Sequence, residues 1–538
     1  MDNRERGIEI LDTTLRDGAQ GEGISFSVRD KLAVAEALDD LGLAWIEAGN
    51  PGSNPKDLEF FQQASGLKLK HARLCAFGST RKKGIRPEED SQIRSLLCAG
   101  CEGIVIFGKS WDLHVTEVLR VSPEENIEMI AETVSFLKGE GRFIIYDAEH
   151  FFDGFKANRD YALRTLKAAR EAGADRIVLC DTNGGCFPDE IAAAAAVIEN
   201  LAMGRAPSLQ LGIHVHNDAG LAVANSIAAV QVGAGHVQGT LAGFGERCGN
   251  TSLAALIPSL ELKLNCRCLP EGKLANISEV TRKVAEIANV SLSEDMPYVG
   301  AHAFAHKAGM HADGILKIRR SFEHVDPLLV GNDRHFLMSE MGGRSAIAER
   351  AKRIDPSITK DHPVTQILFE KLKSLEASGW AFEGADASFE ILVRRELGRY
   401  KPFFKILAYR VMSEHPTGEA LLCSHAWVKV WVEGQDEIAA SEGDGPVNAL
   451  DCALRRALRY FYPELEQVRL EDYKVRVIDG KDATAARVRV LIESTDGQRN
   501  WSTVGVSADI IDASRAALVD SIEYKLIGDM ERGFKAYL

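Results

Sequence analysis

The segment Gln210-Leu211-Gly212-Ile213-His214-Val215-His216-Asn217-Asp218 shows the pattern that decides the fold: an apolar run of strand length that ends in polar residues. Because successive side chains of a strand point to opposite faces, His214 and His216 lie on the same side. Two neighbouring imidazoles are a common start to a divalent-metal site. The segment therefore predicts a strand that delivers metal ligands at its carboxyl end, although an isolated His-x-His can equally end an exposed strand.

Seven further segments repeat this pattern, and amphipathic helical segments separate them. Eight strands with eight crossovers in about 250 residues are the size and count of a (β/α)8 barrel. An open doubly wound sheet is the alternative, but its nucleotide-binding form needs a glycine-rich loop after the first strand. Residues 13–18 contain only one glycine, which favours the barrel. The predicted strands are residues 8–15, 44–48, 73–77, 103–107, 143–147, 176–180, 210–215 and 236–241.

The overall composition is that of a globular protein with excess negative charge. Lys and Arg number 64 against 78 Asp and Glu, so the formal net charge is −14, which argues against nucleic acid as a partner. The charged N-terminus lacks the apolar core of a signal peptide, and no apolar run is long enough to span a bilayer. Ten scattered cysteines suit a reducing compartment, so we expect a cytoplasmic location without membrane association.

Composition predicts three domains. The catalytic barrel occupies residues 1–265, and a mostly helical linker region with fewer apolar runs occupies residues 266–400. Residues 401–538 predict an α+β domain in which a ββα-like pattern occurs twice, with helices at 448–460 and 509–526. This domain carries no evident catalytic set, so we expect it to be regulatory or dimerising. Chance similarity between two ordinary α+β segments is the alternative.

Unusual polar residues follow nearly every predicted strand of the barrel. The active site of a (β/α)8 barrel lies at the carboxyl ends of its strands, so these residues are expected on one rim. A metal ion with mixed nitrogen and oxygen ligands and open positions could polarise the ketone of a 2-oxo acid and bind its carboxylate. The predicted metal ligands are Asp17, His214, His216 and Asn250.

Three other rim residues are candidates for catalysis or substrate binding. Arg16 can balance negative charge that develops on the substrate oxygen, or it can form a salt bridge with Asp17 or Glu47. Thr182 offers a hydroxyl for a substrate carboxylate, or it caps a helix. Glu149 can take part in proton transfer or order a water molecule, or it can hold a lysine or arginine.

The segment Leu11-Asp12-Thr13-Thr14-Leu15-Arg16-Asp17-Gly18-Ala19-Gln20 resembles the opening motif of the DRE-TIM metallolyases. The likeness is strongest to the Claisen-condensing synthases of the 2-isopropylmalate synthase/citramalate synthase family. It covers the whole chain, including a C-terminal module similar to the amino-acid-sensing domain of those synthases. Further matching motifs are residues 50–56, 147–154, 181–185, 214–218, 243–250 and 307–314.

The resemblance implies an acyltransferase of branched-chain amino-acid biosynthesis, on the isoleucine branch. It would join acetyl-CoA and pyruvate by Claisen condensation and then hydrolyse the thioester to release CoA. The first alternative is 2-isopropylmalate synthase, which uses the bulkier 2-oxoisovalerate in leucine biosynthesis. A further alternative is a metal-dependent aldolase or lyase on the same barrel, which would be expected to lack the long C-terminal module.

The resemblance also implies roles for individual residues. The metal would be Mg²⁺ or Mn²⁺, with Zn²⁺ as an alternative, and acetyl-CoA would be the co-substrate. His311 would be supplied by the partner subunit of a homodimer and would help to deprotonate the acetyl methyl group or position the thioester. The C-terminal domain would bind a branched-chain amino acid as effector. Carried over by motif, the metal ligands are Asp17, His214 and His216, the 2-oxo acid is bound by Arg16 and Thr182, and Glu149 assists catalysis.

Two departures from the family pattern are visible. Ala48 and Asn50 stand where relatives often carry glycine and tryptophan, close to the predicted substrate rim. Phe322 stands where related synthases carry a catalytic tyrosine, and His324 is the candidate to replace it. A barrel whose activity has decayed is the non-enzyme alternative, but the joint presence of the rim residues and His311 argues against it.

Overall fold

The computed structural model describes residues 6–198, 210–306, 314–315, 317–336, 343–382, 384–414, 423–478 and 486–535. These residues form two compact units. The first unit comprises residues up to 304 together with 325–334. The second comprises residues 305–324 and 335 onwards. Each unit is described separately below.

Eight parallel strands close into a barrel in the first unit, and the last strand pairs with the first. Each strand coincides with a predicted one to within a few residues, which confirms the predicted (β/α)8 fold. The apolar runs predicted these strands because both faces of a barrel strand are buried. The strands are β1 (Glu9–Asp12), β2 (Trp45–Gly49), β3 (Arg73–Ser79), β4 (Gly103–Lys109), β5 (Phe143–Glu149), β6 (Arg176–Asp181), β7 (Gln210–Val215) and β8 (His236–Gly239).

Helices connect the strands and bury apolar faces against them. The first begins at Ser27, whose side chain and that of Asp30 form reciprocal hydrogen bonds with each other's backbone N–H, a capping box. A π-helix, His114–Leu119, follows β4. The α-helices of this unit are α1 (Val28–Leu41), α2 (Pro55–Ala64), α3 (Ser91–Cys98), α4 (Pro123–Gly139), α5 (Phe151–Ala157), α6 (Arg159–Glu171), α7 (Pro188–Ile198), α8 (Ala222–Gln231), α9 (Leu253–Leu264) and α10 (Ile277–Ile287).

The amino-terminal end of the barrel is closed by a charged cluster around Glu9. Its carboxylate accepts hydrogen bonds from Arg176 Nε (2.9 Å) and His236 Nδ1 (2.9 Å), and Arg73 lies 3.5 Å away. Burial alone would raise the pKa of Glu9, but the contacts with His236 and Arg176 outweigh it and hold the pKa well below its ordinary value. Arg73 also stacks on the ring of Trp45, 3.8 Å from its centroid. This end of the barrel is therefore built for stability.

Replacement of Glu9 by glutamine is expected to lower the free energy of unfolding of the barrel by about 2 kcal/mol, because charged hydrogen bonds are lost. The melting temperature of the barrel should fall by about 4–8 °C at pH 7, measured by circular dichroism. Since the folded-state pKa is depressed, this stabilisation is present above pH 4.5, the ordinary pKa, and is lost as the pH falls further.

The matched control is Glu88→Gln, which removes an exposed carboxylate 3.7 Å from Arg86. Exposed ion pairs contribute less than about 1 kcal/mol, so this variant should melt close to the wild type. Equal melting temperatures for both variants and the wild type would contradict a stabilising role for Glu9.

The second unit contains helices followed by two α+β repeats. Each repeat forms a three-stranded antiparallel sheet followed by a helix. The internal repeat is thus confirmed, and each copy has one strand more than predicted. The helices are α11 (Gly343–Ala351), α12 (Pro363–Ala377), α13 (Asp386–Glu396), α14 (Pro446–Leu458) and α15 (Ile510–Lys535). The strands of the two repeats are β9 (Lys405–Glu414), β10 (Cys423–Val432), β11 (Gln435–Gly443), β12 (Arg469–Val477), β13 (Val488–Thr495) and β14 (Asn500–Ser507).

All ten cysteines lie in the described part of the chain, and each is a free thiol. None of the helices in the described residues is both long and apolar enough to span a bilayer.

Candidate active site

The predicted metal ligands converge at the carboxyl-terminal rim of the barrel. Asp17 follows β1, His214 lies in β7 and His216 follows it directly, and all three are buried. The Asp17 carboxylate lies 3.3 Å from His214 Nε2 and 4.0 Å from His216 Nε2. The two Nε2 atoms are 3.4 Å apart. One ligand atom from each residue thus lies within 4.8 Å of the others, the spacing that a shared ion needs.

Buried polar atoms without hydrogen-bond partners also lie in the predicted metal site. Asp17 Oδ1, His216 Nδ1 and Asn250 Oδ1 are buried and have no hydrogen-bond partner among the described residues. Leaving such atoms unpaired is costly, so their grouping points to a ligand. Two imidazole nitrogens with carboxylate and amide oxygens form a donor set that suits Mg²⁺, Mn²⁺ or Zn²⁺. The residues present therefore fit a divalent metal.

The pKa shifts of Asp17 and His216 fit metal ligation, whereas Asp17 holds the pKa of His214 above its ordinary value in the absence of a metal. Burial would raise the pKa of Asp17, but the Arg16 charge and the His214 hydrogen bond lower it below its ordinary value. Burial and the neighbouring His214 lower the pKa of His216 to about 4. Burial would lower the pKa of His214, but its contact with Asp17 raises it. An ionised Asp17 and a neutral His216 are the forms that bind cations.

Asn250 is held beside His216 by the loop after β8. Its backbone bridges to that of His216, and its Nδ2 donates to the carbonyl of Phe244 (3.2 Å). Gly245 has a φ of 152°, and a Cβ there would lie 2.2 Å from Asn250 Nδ2. Only glycine therefore permits this approach, and the Oδ1 of Asn250, which has no hydrogen-bond partner among the described residues, is left as the possible metal-ligand atom.

Arg16 lies between the metal-ligand cluster and β2. Its Nε donates to the Glu47 carboxylate at 2.5 Å, and its Nη1 lies 3.3 Å from that of Asp17. Its guanidinium lies 3.8 Å from the centroid of the Phe77 ring. Arg16 thus forms both of the salt bridges, with Asp17 and with Glu47, that the sequence left open as alternatives to a catalytic role. They orient the guanidinium at the site, where it can also meet a substrate anion.

Thr182 and Glu149 occupy the neighbouring strand ends. The Thr182 Oγ1 accepts a hydrogen bond from the His150 N–H (2.9 Å), so its own proton remains available to another acceptor. Glu149 forms an ion pair with Lys109, its partner in the register of β4 and β5. Glu149 therefore holds a lysine, the alternative to proton transfer that the sequence left open, and this ion pair keeps its carboxylate at the rim.

Some site residues were not singled out from the sequence. Gln238 in β8 contacts His214, and Asp147 in β5 contacts Gln238. Phe77 forms the face on which Arg16 rests. A polar residue inside a buried strand was the available signal for Gln238 and Asp147. His311, in contrast, lies outside the described residues.

Comparison with known families defines the class to which this fold and site belong. The HMGL-like family model matches residues 7–284, which include the whole barrel. The model "Homocitrate synthase post-HMGL domain-like" matches residues 298–379, and "LeuA allosteric (dimerisation) domain" matches residues 383–526. The first unit is thus an HMGL-like TIM barrel, and a LeuA-type domain follows it in the chain.

Similar proteins of known family show to which family of HMGL-like enzymes the chain belongs. The (R)-citramalate synthase of Aquifex aeolicus (strain VF5) is 49% identical over 526 residues, covering 98% of this chain and 99% of the relative. That of Geobacter sulfurreducens is 48% identical, covering 96% and 97%. A probable 2-isopropylmalate synthase of Methanopyrus kandleri is 31% identical, covering 96% and 97%. The chain belongs to the (R)-citramalate synthase family.

Proposed function

We propose that this enzyme condenses acetyl-CoA with pyruvate and, with one water molecule, releases (R)-citramalate and CoA. The observation that carries this proposal is near-50% identity to (R)-citramalate synthases over almost the whole chain. The buried Asp17-His214-His216 cluster beside Arg16 supports it. The same machinery acting on 2-oxoisovalerate is the second candidate, favoured by the more distant relative.

Asp17, His214, His216 and Asn250 would hold a divalent metal, Mg²⁺ or Mn²⁺ first and Zn²⁺ as the alternative. When bound, this ion supplies a Lewis acid for the ketone of the 2-oxo acid. Arg16 places its positive charge beside the same cluster, where negative charge develops on the ketone oxygen during attack. The Thr182 hydroxyl would donate a hydrogen bond to the substrate carboxylate.

The acetyl methyl group is a weak carbon acid and needs a positioned base. We assign that step, or positioning of the thioester, to His311 of the partner subunit. Glu149 would order a water molecule or carry a proton at the rim, where Lys109 holds its carboxylate. These assignments require a homodimer, and the match to a dimerisation domain supports it.

The direct test follows CoA release with a thiol reagent and compares pyruvate, 2-oxoisovalerate and 2-oxoglutarate at equal concentrations. We expect the highest kcat/KM with pyruvate. Preference for 2-oxoisovalerate would replace the first candidate by the second, and CoA release independent of any 2-oxo acid would contradict both.

Two stacked aromatic rings next to Arg16 suggest how a small substrate is selected. The Phe77 and Phe107 ring centroids are 5.2 Å apart, and Phe77 carries the Arg16 guanidinium on its face. We predict that Phe107→Ala enlarges the space beside the bound 2-oxo acid. The ratio of kcat/KM for 2-oxoisovalerate to that for pyruvate should rise about tenfold, the effect of one or two methylene groups. The control Tyr460→Ala, at an exposed ring of the second unit, should leave the ratio unchanged.

We further propose that the C-terminal domain binds a branched-chain amino acid, with isoleucine as the first candidate, and that the enzyme works in the cytoplasm. The match to an allosteric domain supports the effector, and ten free thiols support a reducing compartment. CoA release by the full chain should fall when L-isoleucine is added. Unchanged rates with isoleucine, leucine and valine would contradict the effector proposal.

A further inference from the structure

Three buried side chains form a hydrogen-bonded chain that ends on the proposed metal ligand His214. His214 Nδ1 lies 2.9 Å from Gln238 Oε1, and Gln238 Nε2 donates to Asp147 Oδ1 at 2.9 Å. All three residues are at most 5% exposed. The register of β7 and β8 places His214 beside Gln238, whereas Asp147 comes from β5. The chain therefore links three strands inside the barrel.

The order of donors and acceptors in this chain determines which way each group points. Gln238 Nε2 donates to Asp147 Oδ1, so the amide nitrogen of Gln238 faces Asp147. The amide oxygen then faces His214 and can only accept a hydrogen bond, so Nδ1 of the imidazole must carry a proton in the neutral form that a metal binds. The Nε2 atom, which faces Asp17, is left as the ligand nitrogen.

His216 provides an internal contrast. Its Nδ1 is buried and has no hydrogen-bond partner among the described residues, so no comparable chain sets its tautomer. Of the two histidines, His214 is therefore the one whose orientation is set before a metal arrives. Outer contacts of this kind orient metal-bound histidines and raise metal affinity.

We propose that Gln238 and Asp147 are positioning residues that hold His214 with Nε2 directed into the metal site. The proposal rests on the metal site assigned under the proposed function. In this proposal neither Gln238 nor Asp147 touches the substrate, and both act through His214. Loss of these hydrogen bonds to His214 should weaken metal binding without unfolding the barrel.

The test is Mn²⁺ binding to the full-length protein after EDTA treatment, with free Mn²⁺ measured by electron paramagnetic resonance. Gln238→Met removes the acceptor at similar volume, and Asp147→Leu removes the group that orients the amide. Both should raise the Kd for Mn²⁺ about 10- to 100-fold. Asp147→Asn keeps an oxygen that can accept from Gln238, so its Kd should stay within a few-fold of the wild type.

Controls separate this proposal from the metal-site proposal. Thr503→Val deletes a buried hydrogen bond in the second unit and should leave the Kd unchanged. His216→Ala should abolish tight binding; if it binds Mn²⁺ like the wild type, the metal site itself is wrong. If His216→Ala fails to bind but Gln238→Met binds normally, the positioning role is overturned. Equal weakening by Asp147→Asn and Asp147→Leu would also overturn it, because charge rather than amide orientation would then matter.

Discussion

Replacement of His216 by alanine is expected to abolish tight metal binding and to lower kcat/KM with pyruvate by at least about 10³-fold, or about 4 kcal/mol of transition-state stabilisation. The imidazole is one of two nitrogen ligands that the described residues bring to the cluster, and its Nε2 lies 3.4 Å from that of His214. Metal content by plasma mass spectrometry and CoA release from the same preparation measure both effects.

The control for this variant is His71→Ala, which changes an exposed histidine just before β3, at the opposite end of the barrel. It should keep full metal content and full activity. A His216→Ala enzyme with wild-type metal content and turnover would contradict the assignment of the site. Melting temperatures of both metal-free variants show whether loss of activity reflects unfolding.

Arg16→Lys is expected to lower kcat about 100-fold, even though the positive charge is kept. A guanidinium can contact Glu47 and Asp17 at the same time while its face rests on Phe77, and a lysine ammonium cannot reproduce this arrangement. Glu47 is fully buried, so a lysine that keeps it paired limits the loss of stability compared with a neutral residue. Steady-state kinetics with pyruvate as the varied substrate measures kcat and KM separately.

The control is Arg86→Lys at an exposed arginine, which should leave both constants unchanged. Since Arg16 is proposed both to bind the 2-oxo acid and to stabilise the developing charge, KM for pyruvate should rise while kcat falls. A rise in KM alone would limit Arg16 to substrate binding.

The barrel could be predicted because its strands are buried on both faces and appear as compact apolar runs. The prediction for β7 matched its bounds, whereas the run predicted at residues 236–241 ends at Gly239 in the structure. The reason is tertiary: Thr240 leaves the barrel sheet and bridges to Ser252 in the following loop.

The sequence prediction missed the first strand of each C-terminal repeat. β9 and β12 each form one of the two edges of their sheets, and most side chains of β12 are exposed. In β12, Tyr473, Val475 and Val477 alternate with Lys474 and Arg476, a short strand pattern that was available in the sequence.

The sequence by itself determined, to within a few residues, where the barrel strands end, because strand ends follow approximately from the length of each apolar run. Asp17, His214 and His216 could therefore be placed on one rim before their distances were known. Only the tertiary structure decided how that rim is held. Gln238 and Asp147 are 91 residues apart in the sequence. They meet because closure of the barrel brings β5 and β8 to a shared interior. The orientation of His214 depends on that closure, so no local pattern records it.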